Sequence, residues 1–438
     1  MNAAGSARAG RRRGARIGLV IVAAIILGGG VGLAVLISKG KNPAYPTTPE
    51  GWVARWNAAA AEFGRTPGEN WDLWLDAWSK IEGETDPASV GPALDPLRDI
   101  ERLTTPVPAS IGTSDIWNVT SPNFRYQRDT LRAIVLPQIE ASLASGETEV
   151  AADWIERAWS LARVGEATGT LIGGMVQAGV VQSVFDAVRP QAARLAGDPR
   201  IIGLIGSAPV PDIAWSLRME REMGVMYIVL MADDFPLSAG DQAPLFEGML
   251  ADWVAYETAG DTAARDRVLA VFDRLANDRL FRLRRVPLEM ITPSLGNAGR
   301  IVKASRVERD ALLVMLALER WRADRGAYPA SIDELVPEQL SEIPADPFGN
   351  NAPLRYRLVD PDSDDPWSAY VLYSVGYNGT DEGGVENRAL VGRGLTDPDH
   401  GADHILNRLP PPPRPTGIIE DDPDDQPAVP GGPGEDAP

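Results

Sequence analysis

The chain has 438 residues, a formal net charge of −19 and no cysteine. A chain of this length can form two or three compact domains, and the absence of cysteine excludes disulfides, zinc–thiolate sites and thiol nucleophiles. Residues 1–41 contain seven basic residues and no acidic one, so the remainder carries −26 and has no basic field for nucleic-acid phosphates. No phosphate-binding loop or dinucleotide fingerprint occurs in the sequence. We therefore expect neither a nucleic acid nor a nucleotide as a partner.

The N-terminus combines a basic arm with a long apolar run. Five arginines within residues 1–16 precede Ile17–Ile37, which are 21 uncharged and mostly apolar residues. A helix rises about 1.5 Å per residue, so this run can span a hydrocarbon core of roughly 30 Å. The flanking charges predict a cytoplasmic arm at 1–16, a transmembrane anchor at 17–38 and an extracytoplasmic location, outside the inner membrane, for the bulk of the chain. A cleaved signal peptide is the alternative, although its apolar core is usually shorter, about 7–15 residues.

A Pro-containing tether at 39–49 leads into residues 50–300, for which the sequence predicts a mainly α-helical domain. The run 169–188 is apolar almost all round but is interrupted by Gln177 and Gln182, which favours a buried central helix over a second membrane span. The principal predicted helices run from Pro122 to about Ser145 and over Thr148–Val164, Gly169–Val188, Ala214–Met231, Pro244–Glu257 and Asp261–Asn277.

Tryptophans recur at helical spacing near the start of this domain. Trp52 and Trp56 lie four residues apart, and Trp71, Trp74 and Trp78 share one face of a second predicted helix. We predict that these rings form the buried face of a helical hairpin. A sugar-binding platform is the alternative, which would make the protein an extracytoplasmic carbohydrate- or peptidoglycan-binding, or glycosidase-like, protein.

The last third of the chain changes character. A long helix with apolar residues at alternating steps of four and three begins around Ile301 and ends at Gly326. The segments Leu354–Val359 and Ser368–Val375 have the composition of strands. The sequence thus predicts an α+β module at 301–409, with the long helix packed on a small antiparallel sheet. The acidic, Pro-rich tail at 410–438 has too little apolar surface to fold, so we expect it to be disordered.

The ordered motifs of this region resemble a known family. A helix that runs into Gly-x-Tyr-Pro is followed by Asp-Pro-Phe-Gly and then by YSVGYNGTDEGG. Residues 303–409 are in this respect similar to the C-terminal module of the major pseudopilins of type II secretion systems. The positions that carry the resemblance are Gly326, Tyr328, Pro329, Leu335, Asp346, Pro347, Phe348, Gly349, Tyr373, Ser374, Gly376, Gly379, Gly383 and Gly384.

The resemblance implies a calcium site in the glycine-rich loop. Its ligands would come from Val375, Asn378, Asp381 and Asp403, since calcium takes carboxylate, amide and carbonyl oxygens together. Asn378 stands where the family has an aspartate, and Asp381 or Glu382 could restore the lost charge. Asp403 lies beyond an insertion at 385–402 that the family does not have. A turn held by its own hydrogen bonds is the alternative.

Two departures from the family bear on function. The long helix is separated from the membrane segment by about 260 residues, and no prepilin-type leader is present, since no glutamate precedes Glu50. We therefore expect a reused module rather than a subunit that assembles by the pseudopilin route. The predicted function is non-catalytic: a membrane-anchored protein that binds envelope or secretion-system proteins.

Enzymatic chemistry finds little support in the sequence. The two histidines, His400 and His404, lie in an acidic stretch with Asp397, Asp399 and Asp403. A metal cluster there would need a helix, which Pro398 and Gly401 would break. We predict a solvated acidic loop at this point and no enzymatic activity.

Overall fold

The computed structural model describes residues 45–46, 48–65, 71–98, 124–231, 241–291, 295–360, 363, 366–376, 378–385 and 403–407. The predicted arm at 1–16, the anchor at 17–38, most of the tether and the tail at 410–438 lie outside these residues. The described residues form a mainly helical protein with small antiparallel sheets, which confirms the α+β class at that level.

The helices of the first two thirds follow the predicted order, with short helices added between the long ones. Their bounds are α1 Pro49–Glu62, α2 Trp71–Ile81, α3 Pro87–Leu94, α4 Phe124–Thr130, a π-helical turn Leu131–Val135, α5 Leu136–Ser145, α6 Thr148–Thr168, α7 Leu171–Val188, α8 Ala192–Leu195, α9 Pro199–Gly206, α10 Ile213–Met231, α11 Gln242–Ala259, α12 Thr262–Asn277, α13 Arg279–Leu283 and α14 Val286–Ile291.

A first core is centred on the hairpin of α6 and α7. Ile155, Val181 and Phe185 are completely buried in it. The two helices approach closely because Gly165 has no side chain: a Cβ there would lie 2.4 Å from the carbonyl oxygen of Gly173. An alanine at this position would push the hairpin apart.

Helix α7 lies inside this core, as predicted. The stretch Leu171–Leu195 is long and apolar enough to cross a membrane by length and composition, and 56% of its apolar window is buried inside the fold. Core helices of soluble proteins have the same properties, so the stretch is weak support for membrane insertion.

A second core joins α1 to α10 and α11. Trp52, Trp56, Trp215 and Phe246 are buried in it. Tyr45, which falls in the predicted tether, is also buried there and donates a hydrogen bond to Glu247 Oε2 at 2.6 Å. Tyr45 of the predicted tether therefore packs on the helical domain.

The C-terminal part has a long helix and two small sheets. Its elements are α15 Leu295–Arg325, β1 Ala345–Asp346, β2 Ala352–Pro353, β3 Arg355–Leu358, α16 Pro366–Ala369, β4 Tyr370–Ser374 and β5 His404–Ile405. Strands β1 and β2 form an antiparallel pair, and a three-stranded antiparallel sheet has the order β3-β4-β5. In its register Tyr356 faces Leu372 and Tyr373 faces Ile405.

Helix α15 belongs to two cores at once. Val307, Val314 and Leu318 pack in a third core with residues of the three-stranded sheet. Leu312 and Leu316, on another side of the helix, are buried in the first core with α6 and α7. The predicted boundary at residue 300 falls inside this helix, which begins at Leu295.

A candidate cation site in the glycine-rich loop

The loop that follows β4 is built around glycines in the left-handed region. Gly376, Gly379, Gly383 and Gly384 have φ values of 66°, 67°, 82° and 72°. Residues with a side chain rarely adopt these angles, which explains why the sequence has glycine at these four positions. The chain can therefore turn tightly here, and Gly379 N donates a hydrogen bond to the carbonyl oxygen of Gly376 at 3.3 Å.

Asp346 fixes where the loop begins. Its buried carboxylate accepts hydrogen bonds from Phe348 N and from Val375 N, both at 2.9 Å. The turn between β1 and β2 is thereby tied to the end of β4, next to the predicted ligand Val375. The sequence places Asp346 in the Asp-Pro-Phe-Gly motif but does not indicate its bond to Val375, because the two residues lie 29 positions apart.

Two of the predicted ligands are engaged within the loop itself. Asn378 Oδ1 accepts a hydrogen bond from Thr380 N at 2.9 Å. Asp381 Oδ1 accepts from Tyr373 Oη at 3.1 Å and from Gly383 N at 2.9 Å, and Arg355 Nε lies 3.4 Å from Asp381 Oδ2. These bonds support the alternative of a self-stabilised turn for this half of the loop.

The other half brings two carboxylates together. Asp403 Oδ2 accepts a hydrogen bond from Gly384 N at 2.6 Å, across the insertion. Asp403 Oδ1 and Glu382 Oε2 are both buried and accept no hydrogen bond from a donor among the described residues, and the two carboxyl groups are close enough to share a proton. Burial raises the pKa of Asp403 to about 6, and the neighbouring Glu382 adds to this rise, while backbone hydrogen bonds oppose it.

Buried carboxylate oxygens without partners are costly, so this pair is suited to a proton or a cation. The oxygens fit calcium, a hard ion that prefers such ligands. Glu382, rather than Asp381, is the acid that the loop turns towards Asp403, and Asn378 Nδ2 holds the other Glu382 oxygen at 2.7 Å. No group of three His, Asp or Glu side chains suited to a metal occurs in the described part of the chain. A cation here would therefore need amide or backbone oxygens as well.

His404 lies beside this site and faces the helices. Its Nε2 is 3.0 Å from Glu308 Oε1, and the other Glu308 oxygen accepts a hydrogen bond from Arg189. Burial raises the pKa of Glu308, but the charge of Arg189 and the bond to His404 outweigh it and lower that pKa to about 2. The prediction of a solvated loop is thus wrong for Asp403 and His404, while His400 lies outside the described residues.

The tryptophans offer no open platform in the described part of the chain. Trp52, Trp56 and Trp74 are almost completely buried, and Trp78 packs against the first core. The side chain of Trp71 is outside the described part. The rings are buried as predicted, but they do not share one hairpin, because those of α1 lie in the second core and those of α2 in the first.

No protein-family model matches the chain. No curated protein and no solved structure matches it either. The resemblance to pseudopilins therefore stays a prediction that rests on the quoted residues.

Proposed function

We propose that the protein is a single-pass, inner-membrane-anchored protein whose extracytoplasmic part binds other envelope or secretion-system proteins without catalysis. The observation that supports this proposal is a long helix packed on a small antiparallel sheet, with a glycine-rich loop after β4, in the part of the chain that carries the motifs of the pseudopilin resemblance. The apolar run Ile17–Ile37 and its basic flanks support the anchor.

Crosslinking in native membranes, followed by identification of the captured proteins, tests the interaction. We expect components of a secretion or pilus-like assembly among them. Recovery of none of these components would refute the link to secretion. Protease added to spheroplasts, whose cytoplasmic membrane is intact, tests the topology. Cleavage of the C-terminal domain would support the proposed topology, whereas full protection would contradict it.

We also propose that calcium binds in the loop through Asp403 and Glu382. Two buried oxygens of this carboxyl pair, which accept no hydrogen bond from a described donor, support this proposal, because a divalent cation could replace the proton that the pair would otherwise share. Thermal melts of the full chain in detergent, with calcium and with a chelator, test it. A ligand at 100 times its dissociation constant stabilises a protein by about 2.7 kcal/mol.

The matched variants are D403N and D266N, since Asp266 is exposed on α12. We expect the calcium-dependent rise in melting temperature to disappear in D403N and to persist in D266N. An unchanged melt of the unmodified chain across millimolar calcium would show that the loop is a self-stabilised turn.

A further inference from the structure

An open cleft of about 960 Å³ lies where the helical part meets the C-terminal part. Its walls are the start of α10, the junction of α11 and α12, the first half of α15 and the turn between β1 and β2. No described residue of the glycine-rich loop lines the cleft, and Ile213 on its wall packs against the second core.

Three basic side chains line the cleft, although the chain as a whole is strongly acidic. Lys303 pairs with Glu257, whose Oε2 lies 2.9 Å from Nζ. Arg265 and Arg306 are exposed and neither forms an ion pair with a described carboxylate, although the charge of Arg306 reaches Asp310 one turn along α15 and opposes the rise in its pKa. Arg265 instead lies over the ring of Tyr256, at 5.9 Å from its centroid.

The acidic groups of the cleft are already engaged. Asp212 Oδ1 accepts hydrogen bonds from Ala214 N at 2.9 Å and Trp215 N at 3.3 Å, so it caps the start of α10. Glu257 is held by Lys303. Among the described residues of the walls, the guanidinium groups of Arg265 and Arg306 are therefore the basic groups that form no ion pair.

Asn350 and Asn351 add hydrogen-bond donors from the opposite wall. Their φ values are 54° and 60°, and within the described ranges they are the two residues other than glycine with positive φ. Such backbone angles are uncommon and cluster at functional sites. Both side chains are exposed at the cleft, and no hydrogen bond to a described residue engages their amides.

We propose that this cleft binds an acidic peptide segment of a protein partner. Unpaired guanidinium groups and amides are donors that suit carboxylates. The cleft is large enough for several residues of an extended peptide, and its charge is opposite to that of the surrounding protein, which favours an acidic partner over a basic one. Arginine and tyrosine are also enriched where proteins bind one another.

Fluorescence anisotropy with a fluorescein-labelled tetra-aspartate peptide tests the proposal on the full chain in detergent at low salt. The critical variant is R265Q/R306Q. The matched control is R267Q/R320Q, which changes the same two helices by the same charge at exposed positions that do not line the cleft. We expect the dissociation constant to rise about fivefold in the first variant and to stay within about twofold in the second.

A third variant, N350G/N351G, removes both amides while glycine keeps the backbone angles. We expect it to weaken the peptide without lowering the melting temperature. Equal weakening in the two arginine variants would reduce the effect to general charge and overturn the proposal, as would no binding at millimolar peptide. Binding that appears only after the acids of Glu420–Asp425 are neutralised would make the chain's own segment the occupant and would also overturn it.

Discussion

Glu220 lies on α10, and its buried carboxyl group reaches the start of helix α7. It is about 6% exposed, and its Oε2 accepts a hydrogen bond from Leu171 N at 3.1 Å. Burial raises the pKa of Glu220 from the ordinary value of 4.5 to about 7, against the opposing effect of that hydrogen bond. Between about pH 4.5 and pH 7, the folded protein therefore holds a proton on Glu220 that the unfolded chain has already released.

A raised carboxyl pKa makes stability fall as the pH rises. The contribution is fully present below pH 4.5 and is lost as the pH rises through 7. From these two pKa values, this one group should lower the free energy of unfolding by roughly 2–3 kcal/mol between pH 5 and pH 8.5. E220Q keeps an acceptor for Leu171 N but cannot ionise, so the loss should disappear.

Urea denaturation followed by tryptophan fluorescence at the two pH values measures this difference. The control is E82Q, because Glu82 is an exposed glutamate. We expect E82Q to follow the unmodified protein and E220Q to gain relative stability at pH 8.5. An E220Q variant with the same pH dependence as the unmodified protein would show that Glu220 ionises freely and would refute the reasoning.

Two further substitutions probe the C-terminal part by thermal and urea denaturation. E308Q leaves the buried Arg189 without its main partner and should lower the free energy of unfolding by about 3 kcal/mol. E338Q breaks the exposed pair with Arg325 and should lower it by less than about 1 kcal/mol. Equal effects of the two variants would contradict the buried role of Glu308. G384A should cost about 1–3 kcal/mol, because its φ is +72° and the new Cβ would lie 3.0 Å from neighbouring side-chain atoms. G203A, in a helix with open space around it, should be neutral or stabilising, and a comparable loss there would undermine the argument.

The long elements could be predicted from the sequence because their signals are local. The apolar period of α15 and the aromatic, β-branched composition of β4 each span enough residues to be recognised. Short elements such as α9 and β5 carry too few residues for a period. The two-residue strand β5 forms through its pairing with β4, about 30 residues earlier, which no local pattern shows.

The candidate sites were predicted less well, for a similar reason. The choice between Asp381 and Glu382 depends on which of two adjacent side chains the glycine angles turn inward. The contact of His404 with Glu308 joins residues almost 100 positions apart. Arg265 on α12 and Arg306 on α15 line one cleft only in the folded chain, so neither is conspicuous in the sequence.

The shared helix α15 has a practical consequence for dissecting the protein. With 31 residues it is a rod of roughly 46 Å that two cores grip on different sides. A fragment that starts at residue 301 would carry Leu312 and Leu316 with no partner to cover them, and such an apolar strip promotes aggregation. The chain therefore cannot be cut at this point into two independently folding parts. A mechanical force applied to the three-stranded sheet would be transmitted to the α6–α7 hairpin through helix α15.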